Sequence, residues 1–371
     1  MKTVLIAAGG TGGHIFPALA LAEQLQLKGV DVRWVGSTRD IEQRVVKPKF
    51  HLTCLRVESL RGRGRLSLLW APLKLARALS QSLRIIRRFR PDVVVTFGSF
   101  VSGPIGMASW VCRVPLVIHE QNALPGMTNR LLSKIARRVL SAFPGAFSDK
   151  VKYDVVGNPV RKSLLTLPKP EERCMARKAP LRILILGGSQ GARQLNRVVS
   201  QWVMTYALSD EVDIWHQTGM AHVDDVTLAY KDSDIDVRVD GFIDDMDSAY
   251  EWADLVVCRS GALTVSELMA VGVASILVPF PFAVDDHQYL NARILQDHQA
   301  AEVVRESDLT VSRLQRLISG YSMYQGCAEG SSLCFKQAVA AYQLAERYSV
   351  QLIIDVLRAV ALSRRERAHA K

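Results

Sequence analysis

No two cysteines are spaced as Cys-x-x-Cys; the six, at positions 54, 112, 174, 258, 327 and 334, are scattered. That argues against a zinc site and for free thiols in a reducing compartment. Long unbroken apolar runs are also missing. Residues 93–112 carry no charge, but Gly98, Gly103, Pro104 and Gly106 interrupt them, and Pro279 and Pro281 break residues 268–284. Both stretches read as buried strand and loop rather than as a membrane span. Lys2 is followed only by residues 3–8 before Gly9, too little for the apolar stretch of a secretion signal. The common nucleotide signatures are absent as well. The lack of Gly-x-x-x-x-Gly-Lys-Ser/Thr argues against a P-loop nucleoside triphosphatase. After Gly10-x-Gly12, Ile15 stands where a dinucleotide fingerprint needs its third glycine, and "WVGS" ends the second strand without an acid for a ribose.

Basic residues outnumber acidic ones 47 to 36, giving a net charge of +11. That surplus calls for an anionic partner: nucleic acid, an acidic membrane surface or a phosphorylated ligand. A length of 371 residues suits two domains, each able to bury a core. Short β-branched runs alternate with helical patterns along the chain. "TVLIAA", "VDVRWVG", "PDVVVTFG", "PLVIHEQN" and "RRVLSAF" read as strands of a first half, with a helix over "FPALALAEQLQLKG". "LRILILGG", "VDIWHQTG", "DVRVDGF", "ADLVVCRSG" and "ASILVPF" repeat the pattern, with helices from about Ala192 and over 264–271. Such alternation predicts parallel sheets with crossover helices. Gly9-Gly10 and Gly187-Gly188 each end the first strand of a half, so the reading is α/β: two Rossmann-like, doubly wound domains, 1–160 and 161–340. Residues 157–180, with Pro159, Pro168, Pro170 and Pro180, read as the linker, and the ligand cleft is expected between the domains. The final residues, 341–371, read as a helix with a basic end, packing back on the first domain.

Three glycine turns follow strands: "GGTGGH" (Gly9–His14), "GGSQGA" (Gly187–Ala192) and "RSGALTVSE" (Arg259–Glu267). Glycine lets backbone N–H groups approach a phosphate, and the helix that follows adds a partial positive charge. With dinucleotides and triphosphates set aside, a nucleotide-sugar diphosphate held between the domains survives. "DSDID" at 232–236 lacks the turn context of a metal loop, so neither a metal nor another cofactor is expected.

Six motifs then occur in order: "GGTGGHIFPALALA", "HEQN" (119–122), "VVGNPVR" (155–161), "GGSQGARQLN" (187–196), "RSGALTVSE" and "DDHQYLNA" (285–292). Together they resemble the bacterial family of UDP-N-acetylglucosamine–undecaprenyl-diphospho-muramoylpentapeptide N-acetylglucosaminyltransferases, over about Val4 to Ala292. The resemblance implies a GT-B fold, with an N-terminal domain for the lipid acceptor and membrane and a C-terminal domain for the UDP-sugar. It implies GlcNAc transfer from UDP-GlcNAc to lipid I, forming lipid II for peptidoglycan, at the cytoplasmic face of the inner membrane. Other proteins of cell-wall synthesis are implied as partners. Thr11, Gly12 and Gly13 would face the donor diphosphate and the acceptor, and Asn122 the transferred sugar. Arg161 and Ser189 would bind the diphosphate, and Ile243 would meet uracil through its backbone. Ala262, Leu263, Thr264, Val265 and Ser266 would present a helix end to phosphate, Glu267 would take the ribose hydroxyls and Gln288 those of GlcNAc. The chain departs from the family at Gly98-Ser99-Phe100, where Gly-Gly-Tyr is common, and at His287, where some members have glutamine.

The family's α-linked donor and β-linked product imply a single in-line displacement through an oxocarbenium-like transition state. His14 is the lead candidate for the base, because its ordinary pKa lies near operating pH, with diphosphate contact without proton transfer or a structural role as its competing readings; His119 and Glu120 are the alternatives for the base. A hydrogen bond holding the next loop is the competing role for that pair. Residues 61–90 interleave leucines and Trp70 with nine cations, among them Arg61, Arg63, Arg65, Arg87 and Arg88, as an interfacial helix on anionic lipid would; a core-facing helix with a solvated basic side is the alternative. Only Trp70 and Phe89 could stack on bases there, so nucleic acid is not expected. Two other functions stay open at this point. One is another UDP-sugar enzyme of the same fold, either a transferase for a different lipid or a 2-epimerase; the other is a nucleotide-binding protein without catalysis.

Overall fold

The structure, a computed structural model, describes residues 1–55, 71–175, 180–188, 191–208, 210–322 and 332–369. The chain divides into two compact units, Met1–Arg161 with Glu346–Lys371, and Lys162–Ala345.

The first unit is built on a parallel sheet of β1 (Thr3–Ala7), β2 (Asp31–Gly36), β3 (His51–Cys54), β4 (Val93–Thr96), β5 (Leu116–Glu120), β6 (Arg138–Ser141) and β7 (Asp154–Val155). Its order is β3-β2-β1-β4-β5-β6-β7. The central strands are buried, Val4–Ala7 and all of "VVVT" completely so, because helices cover both faces and leave no polar side to alternate with. Strands β3 and β7 escape the sequence reading. They are short and polar, and only pairing at an edge makes them strands.

Helix Ser349–His369 supplies Ile353, Ile354, Leu357 and Val360 to the core built around Val4, Ile6 and Trp34. Arg364 caps this docking by donating to the carbonyls of Pro91 and Asp92 at 2.7 and 3.3 Å.

The second unit repeats the plan with β8 (Leu181–Leu186), β9 (Val212–Gln217), β10 (Val237–Asp240), β11 (Leu255–Cys258), β12 (Ala274–Leu277) and β13 (Glu302–Val303), ordered β10-β9-β8-β11-β12-β13 and parallel throughout. The prolines of 157–180 do not make a free linker. Arg173 of helix Pro170–Met175 donates to the carbonyls of Pro168, Val271 and Gly272, which fixes that helix on the second unit. In each sheet the strand order reverses beside the first strand, so ligand groups are expected at the carboxyl ends of β1 and β4, and of β8 and β11.

Candidate functional site

In the first unit, "GGTGGH" is shorter as a turn than its glycines suggest. The helix begins at Gly12 rather than near Phe16, because the Thr11 carbonyl already accepts from His14 and Ile15 N–H at 3.1 and 3.2 Å. Gly12 and Gly13 therefore lie in the first helical turn, where N–H groups have no partner within the helix. The turn before them is occupied from inside the protein. Glu42, 0% exposed, accepts from the N–H of Gly10 and of Ser37, both at 3.1 Å. A Cβ on Gly9 would lie 2.7 Å from the same carboxylate oxygen. An internal carboxylate thus holds the Gly10 amide, leaving Thr11 to His14 as the part of this motif that can face a ligand. No fingerprint in the sequence marked Glu42.

His14, half-buried, sits with Nδ1 3.0 Å from the Thr11 hydroxyl. Its ring lies over Gly98, where an added Cβ would come within 3.3 Å of Cδ2 and 3.5 Å of Nε2. Gly98 has φ +82°, and Ser99 follows at φ +71°, a left-handed conformation that glycine adopts without cost.

His119 and Glu120, expected as alternative bases, are placed otherwise. His119 is 0% exposed and stacks against Phe97 with ring centroids 5.2 Å apart. Its Nε2 faces the Gly157 carbonyl at 2.9 Å, so Nε2 carries the proton; Nδ1 accepts from the Gln121 amide at 3.0 Å. Burial lowers its pKa to about 4. With both nitrogens committed and no solvent path, this ring is architecture. Glu120 is 2% exposed and takes donors from Asn122, Gly126 and Asn129 at 2.9–3.1 Å. The correction has one physical cause: "HEQN" points its first two side chains inward to pin the loop that carries Asn122. Asn158 joins by donating to the Gln121 carbonyl at 3.0 Å, which explains why "HEQN" and "VVGNP" occur together. Asn129, bridging the His119 carbonyl and Glu120, carried no sequence signal. Half-buried Arg161 is the last residue of this stretch of the first unit.

In the second unit, Ser189 lies outside the described residues. The two glycines before it are held by Gln217, whose carbonyl accepts from Gly187 N–H at 2.9 Å and whose side chain accepts from Gly188 N–H at 3.2 Å. Beneath it, buried His216 links Tyr230 and Asn196 at 2.8 and 3.2 Å, and burial lowers its pKa to about 3. Asn196 then donates to the Thr218 carbonyl at 3.0 Å, giving the last residue of "GGSQGARQLN" its structural purpose.

The third turn opens helix Ala262–Val271 behind Gly261, slightly earlier than its spacing suggested. Leu263 and Thr264 are half-buried; Ala262, Val265, Ser266 and Glu267 are buried. Ser266 bonds back to the Ala262 carbonyl at 2.9 Å, while Glu267 accepts from the Tyr250 hydroxyl at 3.1 Å. Cys258 lies close by: its pKa is pushed up to about 12 by burial first and by the Glu267 charge second. Gln288 has its side-chain oxygen on Phe280 N–H at 3.0 Å, while its backbone carbonyl accepts from Ser260 at 2.8 Å, so it ties the loop after β12 to the Arg259–Gly261 turn. Asp285 and Asp286, at φ +54° and +52°, precede it in consecutive left-handed conformations. Ile243, 5% exposed, follows β10. Among the described residues, no group of three His, Cys, Asp or Glu side chains could hold a metal ion.

Residues 4–141 match the glycosyltransferase family 28 N-terminal domain and residues 182–325 its C-terminal domain. The UDP-N-acetylglucosamine--N-acetylmuramyl-(pentapeptide) pyrophosphoryl-undecaprenol N-acetylglucosamine transferase of Coxiella burnetii is 46% identical over 354 residues, 95% of this chain and 97% of its own. The chain belongs to glycosyltransferase family 28. The crystal structure of Acinetobacter baumannii MurG superposes with a TM-score of 0.82 at 36% identity, covering 97% of this chain and 100% of that one. A Listeria monocytogenes structure described as a putative UDP-N-acetylglucosamine 2-epimerase reaches 0.66 at 13% identity, a likeness of fold alone, over 97% and 96% of the two chains. The N-terminal match takes in β1 to β6 of the first sheet and the C-terminal match β8 to β13 of the second, so this is a GT-B glycosyltransferase of two parallel-sheet domains.

Proposed function

We propose that this family 28 enzyme transfers GlcNAc from UDP-GlcNAc to the C4 hydroxyl of lipid I, forming lipid II with inversion at the anomeric carbon. The observation that carries this reading is the near full-length identity to transferases named for that reaction. The second unit takes the donor nucleotide: uracil at Ile243, ribose at Glu267, and the diphosphate at Ser189 and at the helix end formed by residues 262–266. Arg161 adds a guanidinium suited to a phosphate edge, and Gln288 and Asn122 address the sugar. Thr11, Gly12 and Gly13 face the diphosphate and acceptor.

The acceptor oxygen bonds to the anomeric carbon as the bond to the UDP oxygen breaks, and His14 takes the hydroxyl proton. With its Nδ1 proton donated to Thr11, 3.0 Å away, His14 would present Nε2 as the basic nitrogen. The test is turnover with a lipid I analogue and several UDP-sugars. UDP release that requires acceptor and prefers UDP-GlcNAc supports the reading; conversion of UDP-GlcNAc to its 2-epimer without acceptor would replace it.

We infer a peripheral site on anionic lipid for the first unit, at the cytoplasmic face of the inner membrane. Helix Ala71–Phe89 packs on helix Ser102–Val111, and the two expose Leu73, Leu75, Met107, Trp110 and Val111 beside Lys74, Arg77 and Arg84. No helix among the described residues is long and apolar enough to cross a membrane. Residues 61–70 of the basic stretch lie outside the described residues. Reversing the charge of exposed Arg87 and Arg88 should reduce pelleting with anionic vesicles, and unchanged pelleting would count against this surface.

A further inference from the structure

A carboxylate selects a pair of neighbouring hydroxyls only while its plane is fixed, because each oxygen must meet its own donor. Glutamate has three side-chain torsions, so burial in a helix leaves the end of the side chain to be set by something else. At Glu267, 9% exposed, Tyr250 is the observed anchor: its hydroxyl donates to Oε2 at 3.1 Å, and its ring is 0% exposed.

Tyr250 is itself held from both ends of helix Met246–Trp252. At the start, Asp245 accepts from Ser248 N–H at 3.1 Å and from the Ser248 hydroxyl at 2.6 Å. At the end, Trp252 packs edge-on against Trp215 with centroids 5.7 Å apart, and the Trp215 indole donates to Asp240 at 2.7 Å. Asp240 and Asp245 flank Ile243 in the chain, so the groups that hold this short helix lie on either side of the residue assigned to uracil, while the helix itself reaches the residue assigned to ribose.

We propose that Tyr250 is a positioning residue that gives this chain its selection of ribose over 2′-deoxyribose in the donor nucleotide, by holding the Glu267 carboxylate in the plane that meets both hydroxyls. This rests on the reading of Glu267 as the ribose contact. A ring that merely fills the core would support uridine and deoxyuridine nucleotides alike. Removal of its hydroxyl would then cost both equally.

The test is calorimetric binding of UDP and of 2′-deoxyuridine diphosphate to the full chain, in the parent, Tyr250→Phe, Glu267→Gln and the double variant. The parent should prefer UDP by at least about tenfold. Tyr250→Phe should weaken UDP about tenfold, the worth of one hydrogen bond to a charged group, and leave the deoxy compound within about twofold. The double variant should add little to Glu267→Gln. Equal weakening of both nucleotides by Tyr250→Phe overturns the positioning role while the Glu267 reading survives. A preference that persists in Glu267→Gln, or is absent from the parent, removes the ribose contact and this role with it. Should Tyr250→Phe not fold, Glu267→Asp, which draws the carboxylate away from the phenol, gives a second falsifier: an unchanged preference there overturns the proposal.

Discussion

Replacing Glu120 with glutamine keeps the side chain's volume and removes one acceptor oxygen. Each carboxylate oxygen of Glu120 takes one backbone N–H: Asn122 at 3.0 Å on Oε1 and Gly126 at 3.1 Å on Oε2. Each also takes one side-chain amide, Asn122 at 3.1 Å and Asn129 at 2.9 Å. Whichever way a glutamine turns, its NH2 confronts a backbone N–H that cannot reverse. The donor that loses its partner is half-buried at Asn122 or exposed at Gly126, so it costs about 1 kcal/mol, and the surviving bonds lose their charge assistance, for a total of roughly 2 kcal/mol. In a domain of this size that lowers the melting temperature by about 4–8 °C. Scanning calorimetry reads the shift, and the pH dependence of kcat/KM reads the role. Expected are a lower Tm, reduced turnover and a pH profile of unchanged shape. A Tm within about 1 °C of the parent, together with loss of the acidic limb of the profile, would refute the reasoning. Glu120 would then be an accessible base rather than the pin of the Asn122 loop.

Acid should weaken the first unit through His119. Its pKa is lowered from 6.5 to about 4, so the unfolded chain takes up a proton that the folded chain refuses. Stability is complete above pH 6.5 and declines by roughly 3 kcal/mol as pH falls to 4. Urea midpoints should follow that slope, and His119→Gln should flatten it; parallel slopes would contradict the buried neutral ring. Gly157→Ala should lower the Tm, because Gly157 has φ +71° and a Cβ there would lie 2.5 Å from Glu346 Cβ and 2.6 Å from the Ser349 hydroxyl. An unchanged Tm would mean that the C-terminal segment is not seated there. Ser99→Gly should raise the Tm, by removing left-handed strain of about 1 kcal/mol and a buried hydroxyl with no partner. A fall would show that the loss of chain entropy on folding outweighs both.

The two-sheet plan was legible in the sequence because its signals are local. Buried parallel strands read as continuous β-branched runs such as "VVVT" and "LRILIL", and each glycine turn lies within a few residues of the strand it ends. What each motif's side chains do was not local. "HEQN" suggested acid–base chemistry by residue type, yet His119 and Glu120 turn inward because Gly157, Gly126 and Asn129 meet them there. Likewise, Glu42 fills the first glycine turn from a helix that no fingerprint marks, and Tyr250 reaches Glu267 from another element. The edge strands β3, β7 and β13 have too few apolar residues to declare themselves without a neighbour to pair with. Sequence alone thus determined where the backbone turns and which faces are apolar, since both depend on residues adjacent in the chain. Tertiary structure decided which polar side chains are scaffold and which can face a ligand, because burial and hydrogen-bond partners come from segments far apart in the chain.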